Sequence, residues 1–172
     1  LALPLVRVAA WMGRLLRPAG SIRPRTPALY FHAPCFDGVA SAVVALDFLE
    51  TRRGWRDVQL NPVNYDVRDS WLATPLQRPA AVVDFLFHPE AAFWVDHHAS
   101  TCVDPRPRPA SETGDAIRVY DPQAPSCAHL MYDVLGRTYD HKNLAYQPLV
   151  EWATKIDAAR YDSVEEALFG NA

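Results

Sequence analysis

The chain has 172 residues, of which 49% are hydrophobic and 22% charged, a composition typical of one globular domain. No apolar run reaches the ~18 residues that a membrane-spanning helix needs, so we expect no membrane partner. Five arginines and no acidic residue precede Asp37, whereas the remainder carries 12 basic and 20 acidic residues. That acidic remainder argues against a broad nucleic-acid-binding face and suits carboxylates that hold cations.

The cysteines bear on the cellular compartment. Cys35, Cys102 and Cys127 are odd in number and lack CxxC spacing, which argues against a disulfide framework. We therefore predict a reducing, cytoplasmic setting. Cys102 and Cys127 are expected to be buried thiols, because no base is placed to activate them.

Two regions differ in composition. Residues 1–27 form an arginine-rich, proline-containing extension that we expect to be weakly ordered, with a short amphipathic helix over 6–17. A targeting segment is the alternative, since acid-free, arginine-rich heads occur in transit peptides. Residues 28–172 are predicted to be a single domain.

The domain opens with an apolar strand over 28–32, a turn over 33–38 and a helix that ends near Gly54. The predicted core face of this helix holds Val39 together with Ala42, Val43, Leu46 and Leu49. A second strand over 58–65 contains Pro62, which favours a place near the edge of the sheet.

Further strands are predicted over 80–85, 93–96 and 117–120, with a proline-rich loop over 105–114. A helix is expected over 128–135, ending at Gly136, and a last helix starts near Pro148. The core face of that last helix is Leu149, Trp152, Ala153 and Ile156. Alternating strands and helices predict an α/β, Rossmann-like fold with a mainly parallel, five-stranded sheet flanked by helices.

Polar side chains follow the predicted strands and the last helix. His32 ends the first strand, Asp84 interrupts an apolar one, and the triplet 96–98 (Asp-His-His) ends the next. Taken singly, each has a structural explanation: a histidine at a sheet rim, Asp37 as a helix N-cap, or Asp157 as a solvated surface acid. A purely structural explanation is harder to give for Asp84, because a buried carboxylate needs a compensating partner.

The carboxyl ends of parallel strands share one edge of a sheet, where ligands usually bind. His32, Asp84 and His97 are therefore expected to converge, with Asp37 from the first turn and Asp157 from the last helix. Two imidazoles and three carboxylates suit divalent ions such as Mn²⁺. A bridging carboxylate would hold two ions roughly 3.5–4 Å apart.

In this pattern the chain resembles the DHH phosphoesterase superfamily. The motifs that carry the resemblance are HAPCFDG at 32–38, VVD at 82–84, DHH at 96–98 and ID at 156–157, in the family's order. It covers about residues 28–165. The first motif is the HxxCxDG variant, with Cys35 where the family usually has a further aspartate.

The resemblance implies the role of each residue. His32 would bind one metal; Asp37, His97 and Asp157 would bind the other; and Asp84 would bridge them. His98 would face the phosphate and Asp96 would orient its neighbours, which makes these two the candidate catalytic residues. Cys35 would be a ligand of the first metal, and as a thiolate it would favour Zn²⁺ or Fe²⁺ over Mn²⁺ or Mg²⁺.

The implied activity is metal-dependent hydrolysis of a phosphodiester or phosphomonoester by a metal-bound hydroxide. The expected partner is a phosphorylated small molecule or short oligonucleotide. The family's C-terminal substrate-binding domain is expected to lie outside this chain. Two alternatives stay open: a pyrophosphatase or polyphosphatase on the same cluster, and a non-catalytic DHH domain that binds phosphate or a protein.

Four other residues are weaker candidates. Ser126, with Cys127 at a helix start, could present backbone amides to a phosphate, but an N-cap role is favoured. His88 could reach the cleft, but a surface turn before Pro89 is favoured. His129 and His141 have no partner that the sequence identifies.

Overall fold

The computed structural model describes residues 26–101 and 116–170. Their centre is a five-stranded sheet in the order β2-β1-β3-β4-β5, with every neighbouring pair parallel. The strands are β1 (Ala28–His32), β2 (Gln59–Val63), β3 (Ala80–Val83), β4 (Ala91–Asp96) and β5 (Ile117–Tyr120). The predicted α/β class with a parallel five-stranded sheet is confirmed.

Within residues 26–101 and 116–170, four α-helices and two 3-10 helices connect or follow the strands. The α-helices are α1 (Phe36–Thr51), α2 (Cys127–Tyr139), α3 (Gln147–Asp157) and α4 (Val164–Phe169), and the 3-10 helices are Tyr65–Ala73 and Leu144–Tyr146. Over the described part of the chain, none of the helices has the length and apolar character needed to cross a bilayer.

The sheet is buried on both faces, because alternate strand residues enter two separate apolar clusters. Leu29, Val83 and Val95 pack with helices α1, α2 and α3 on one face. Val82 and Trp94 pack with the residues around the 3-10 helix Tyr65–Ala73 on the other. Burial on both faces explains why these strands read as continuous apolar runs.

The direction of the strands brings their polar ends together. His32 and Asp96 are the last residues of β1 and β4, and Asp84 directly follows β3. Asp84 has a left-handed backbone (φ 53) that ends the strand, so the predicted strand over 80–85 was too long. Left-handed φ costs a non-glycine residue of the order of 1 kcal/mol and often marks a functional site.

Several predicted boundaries and faces were wrong. Helix α2 continues through Gly136 to Tyr139 and ends at Asp140, which takes the left-handed conformation (φ 48). Val39 is 47% exposed rather than part of the core face of α1. Strand β2 is shorter than predicted, β4 begins at Ala91, and α4 was not predicted.

Some predictions fall on residues that the structure does not describe. They are the N-terminal extension up to residue 25 with its helix over 6–17, the loop over 105–114 and the burial of Cys102.

Candidate metal centre

The predicted ligands lie together at the carboxyl edge of the sheet. Their donor atoms form three groups, in each of which the atoms are within 4.8 Å of one another. The groups are His32, Cys35 and Asp84; Asp84, His97 and His98; and Asp37, His97 and Asp157. All six predicted ligands are thus in contact range of a common cluster, and Asp84 and His97 are shared between groups.

Asp84 lies between the two outer groups. Its side chain is fully buried, with Oδ2 3.7 Å from His32 Nδ1 and Oδ1 3.8 Å from His97 Nε2. The two oxygens of one carboxylate therefore face different groups. Neither oxygen has a hydrogen-bond partner among the described residues.

His97 is held in a defined orientation. Its Nδ1 lies 3.1 Å from the carbonyl oxygen of Ala124, so Nδ1 carries the proton that donates to that oxygen. Nε2 is the nitrogen that faces the carboxylates, and it lies 3.5 Å from Asp37 Oδ2 and 3.3 Å from Asp157 Oδ2 without a hydrogen bond to either. A ring nitrogen and two carboxylate oxygens at these separations are placed as the ligands of one cation would be.

Asp37 connects α1 to α2. Cys35, not Asp37, occupies the N-cap of α1, and the Asp37 carboxylate instead accepts hydrogen bonds from the amides of Cys127 (2.7 Å) and Ala128 (3.0 Å). The N-cap explanation of Asp37 is therefore wrong. Burial raises the pKa of Asp37, and the two amide hydrogen bonds oppose that rise.

Gly38 lets β1, α1 and Asp84 approach closely. A Cβ at this position would lie 2.1 Å from the carbonyl oxygen of His32 and 3.1 Å from Asp84 Oδ2. Any side chain would have to displace backbone there. The glycine of the HxxCxDG motif is thus a steric requirement of the site.

His98 and Asp96 form a pair. His98 Nδ1 lies 2.8 Å from Asp96 Oδ1, and this hydrogen bond outweighs burial and raises the pKa of His98 to about 9. With Nδ1 bonded to Asp96, the other ring nitrogen of His98 is left for a further contact. The buried Asp96 carboxylate fixes the orientation of the ring.

His32 and Cys35 form the side of the centre nearest to β1. Burial and the charge of His98 lower the pKa of His32, which favours the neutral imidazole that metals require. Burial raises the pKa of the Cys35 thiol, so a thiolate at this position needs a cation to stabilise it. Cys35 has no disulfide.

The donor set fits divalent ions. Among the described residues, eight buried side-chain atoms lack a hydrogen-bond partner, and five of them belong to this cluster: His32 Nδ1, both Asp84 oxygens, Asp96 Oδ2 and His97 Nε2. Buried polar atoms are rarely left unpaired. Ligand atoms about 2.0–2.2 Å from one ion lie roughly 3.0–3.6 Å apart, close to the separations of His97 Nε2 from its carboxylates.

The environment of Asp84 favours its protonated form. Burial, followed by the charge of Asp37, raises the pKa of Asp84 to about 9. At neutral pH the Asp84 carboxyl therefore holds a proton. Metal binding would have to displace it, since carboxylates bind ions in the deprotonated form.

Two residues at the site were not identified from the sequence. The ring of Tyr65 packs edge-on against His32, with centroids 4.9 Å apart, and Arg68 Nη2 donates to the carbonyl oxygen of Ser100 at 3.3 Å. Burial, with the charges of Asp96 and Asp84, raises the pKa of Tyr65 to about 12, and the charge of Arg68 opposes the rise. Both residues belong to the 3-10 helix Tyr65–Ala73, which no periodic pattern in the sequence indicates.

The weaker candidates lie elsewhere. Ser126 is the N-cap of α2, accepting from the amide of His129, and the next two amides are bonded to Asp37; a phosphate site there is wrong. His88 is buried against Trp71, neither in the cleft nor on a surface turn. His141 pairs with Asp47 far from the cluster.

Comparisons with known proteins identified no relative. No protein-family model, no curated protein and no solved structure matches the chain.

Proposed function

We propose that the chain is a DHH-type, divalent-metal-dependent phosphoesterase that hydrolyses a phosphodiester or phosphomonoester in a short oligonucleotide or nucleotide-like substrate. The observation that carries the proposal is His97. Its Nδ1 is bonded to a carbonyl while its Nε2 faces carboxylate oxygens without a hydrogen bond. A ring nitrogen and carboxylate oxygens placed in this way could bind one divalent cation together.

Two ions are expected, most simply Mn²⁺. His32, Cys35 and Asp84 would hold one, and Asp37, His97 and Asp157 the other, with Asp84 shared. Zn²⁺ or Fe²⁺ becomes the better ion for the first group if Cys35 binds as a thiolate, and Mg²⁺ suits the oxygen-rich group. When bound, the ions supply Lewis-acid chemistry, acidifying water and offsetting charge on phosphoryl oxygens.

The protein groups around the ions position the substrate. His98 holds a proton at neutral pH because of Asp96, so its free ring nitrogen would donate a hydrogen bond to a phosphoryl oxygen. Asp96 acts through His98 and is a positioning residue. The pairing fixes the orientation of the imidazole.

A hydrolysis panel tests the proposal. Purified protein is assayed with and without Mn²⁺ on a 5′-phosphorylated dinucleotide, a cyclic dinucleotide and pyrophosphate. We expect Mn²⁺-dependent turnover of a nucleotide substrate and a drop in kcat/KM of at least about a hundredfold in His97→Ala. His141→Ala is the matched control, because His141 lies away from the cluster.

Three results would count against it. Turnover of pyrophosphate alone would favour the pyrophosphatase alternative. Mn²⁺ binding without turnover of any substrate would favour a non-catalytic binding domain. Turnover that survives His97→Ala would show that another centre does the chemistry.

The compartment is part of the same proposal. Cys35 and Cys127 are free thiols, and Cys35 would be lost as a ligand on oxidation. A reducing, cytoplasmic setting suits such a site.

A further inference from the structure

The cluster is acidic, and its substrate is an anion. Asp37, Asp84, Asp96 and Asp157 bring four carboxylates to the site, so two divalent ions would do little more than neutralise them. Beside the His98 ring, a phosphate carrying up to two negative charges can still accept hydrogen bonds from a second cationic side chain. An arginine is the side chain best shaped for phosphate, since its planar fork offers parallel donors.

Arg68 is placed to supply that charge. It stands three residues after Tyr65 in the 3-10 helix Tyr65–Ala73, and residues i and i+3 of a 3-10 helix lie one above the other. The ring of Tyr65 contacts His32, so Arg68 starts from the face of this 3-10 helix that lies toward the centre.

The guanidinium is anchored but not neutralised. Its Nη2 donates to the carbonyl oxygen of Ser100, two residues beyond His98. Within the described ranges, no carboxylate lies at ion-pair distance from Arg68, whereas Arg78, Arg137 and Lys155 each pair with an acid. One hydrogen bond leaves the remaining donors of a five-donor group for a ligand.

We propose that Arg68 binds a phosphate group of the substrate beside the metal centre and is a substrate-binding residue of the protein. This inference rests on the proposed function and adds to it a residue that selects substrates by their phosphate groups. Affinity would depend on the charge and number of phosphates on the substrate, and Arg68 would act on binding more than on the chemical step.

The direct test is a calorimetric titration of the Mn²⁺-loaded protein with inorganic phosphate, which needs no turnover. We expect Arg68→Ala to weaken phosphate binding by about ten- to a hundredfold, as for a lost hydrogen bond to a charged group. Arg68→Lys keeps the charge without the fork and should give an intermediate loss. Arg137→Ala, an exposed arginine on α2, should bind as the unaltered protein does.

A second readout uses whichever substrate of the hydrolysis panel is turned over. Arg68→Ala should raise KM about tenfold or more with kcat within about twofold, the signature of lost ground-state binding. Mn²⁺ affinity of the variant, measured by the same calorimetry, should be unchanged. If Arg68→Ala does not fold, Arg68→Lys and Arg68→Gln provide the comparison.

The inference and the proposed function fail separately. Phosphate affinity or KM that is unchanged in Arg68→Ala, with Mn²⁺-dependent hydrolysis intact, overturns the role of Arg68 alone. Failure of the unaltered protein to bind phosphate overturns it as well. Arginine-dependent phosphate binding without hydrolysis would support Arg68 and refute the esterase.

Discussion

Two histidine–aspartate clusters lie at opposite ends of the same pair of helices, and they differ in how their polar atoms are paired. At the start of α1 and α2, His97 Nε2 and both Asp84 oxygens have no hydrogen-bond partner among the described residues. At the other end, His141 Nε2 lies 2.8 Å from Asp47 Oδ2 and His141 Nδ1 accepts from Arg52 Nε at 3.4 Å.

The pairing, not the residue types, distinguishes a candidate metal centre from a structural contact. His141 uses both ring nitrogens and ties the end of α1 to the chain beyond α2, so nothing is left for an ion. His97 Nε2 and Asp84 Oδ1 instead lie 3.8 Å apart, and neither atom has a hydrogen-bond partner among the described residues. Buried atoms left in that state are a cost to the fold that bound cations would offset.

The largest expected contrast between the two clusters is in pH dependence without metal. In the folded, metal-free protein the pKa of Asp84 is about 9, against an ordinary value of 3.8, and that of His98 is about 9, against an ordinary value of 6.5. Between pH 6.5 and 9 the folded state thus holds protons that the unfolded state has released. Stability therefore falls as pH rises through this window.

For Asp84 the loss of stability over the window is on the order of a few kcal/mol. Urea unfolding in EDTA at pH 6.5 and pH 9 measures this change in the free energy of unfolding. In Asp84→Asn the free energy of unfolding should vary with pH only as much as His98 requires. Added Mn²⁺ should restore stability at pH 9 and release protons on binding. Metal-free stability that is flat or rises with pH would contradict the protonated Asp84.

A smaller effect is expected from the glycine that admits Asp84. Gly38→Ala would place a Cβ 2.1 Å from the carbonyl oxygen of His32. We expect the free energy of unfolding to fall by about 1–3 kcal/mol and Mn²⁺ binding to be lost as well. Thermal unfolding and Mn²⁺ calorimetry measure the two effects.

The matched control for Gly38→Ala is Gly136→Ala in the interior of α2. The nearest atom to its Cβ would be Lys142 Cδ at 3.4 Å. Helix propensity should make this change neutral or stabilising by up to about 1 kcal/mol, with Mn²⁺ binding intact. Equal behaviour of the two variants would show that close packing at residue 38 is not required.

The smallest expected effect is at the satisfied cluster. His141→Ala removes the partner of Asp47, which is partly exposed, so we expect a loss of about 1 kcal/mol. The stabilisation gained on adding Mn²⁺ should match that of the unaltered protein. A His141→Ala protein that no longer responds to Mn²⁺ would mean that the two clusters are coupled.

The sequence was sufficient to predict the sheet and the convergence of the candidate ligands. Apolar strands ending in His32, Asp84 and the triplet 96–98 predict convergence because parallel strands end on one edge. Sequence periodicity indicates which face of a helix or strand is buried, but not which residues it contacts. The hydrogen bonds that the first amides of α2 donate to Asp37 were therefore not predicted. For the same reason the contact between His141 and Asp47, which are 94 positions apart, was not predicted.

Local signals also failed where tertiary contacts determine the structure. Val39 was assigned to the core because α1 is apolar on nearly every side. When apolar residues occupy all sides of a helix, the sequence does not show which side faces the core. Tyr65 and Arg68 were overlooked because a 3-10 helix carries no strong periodic signature. Gly136 was taken as a stop, although α2 continues as far as the left-handed Asp140.

The hydrogen bonds from the Cys127 and Ala128 amides to Asp37 have a consequence for the order of assembly. They join residues 90 and 91 positions apart, whereas Asp84, His97 and His98 are near neighbours in the chain. Closing so long a loop costs more entropy than bringing β3 and β4 side by side. The group around Asp84 can therefore form early, while the group that includes Asp37 and Asp157 forms only when nearly the whole domain has folded. Metal binding by that second group would therefore occur only in molecules whose folding is nearly complete.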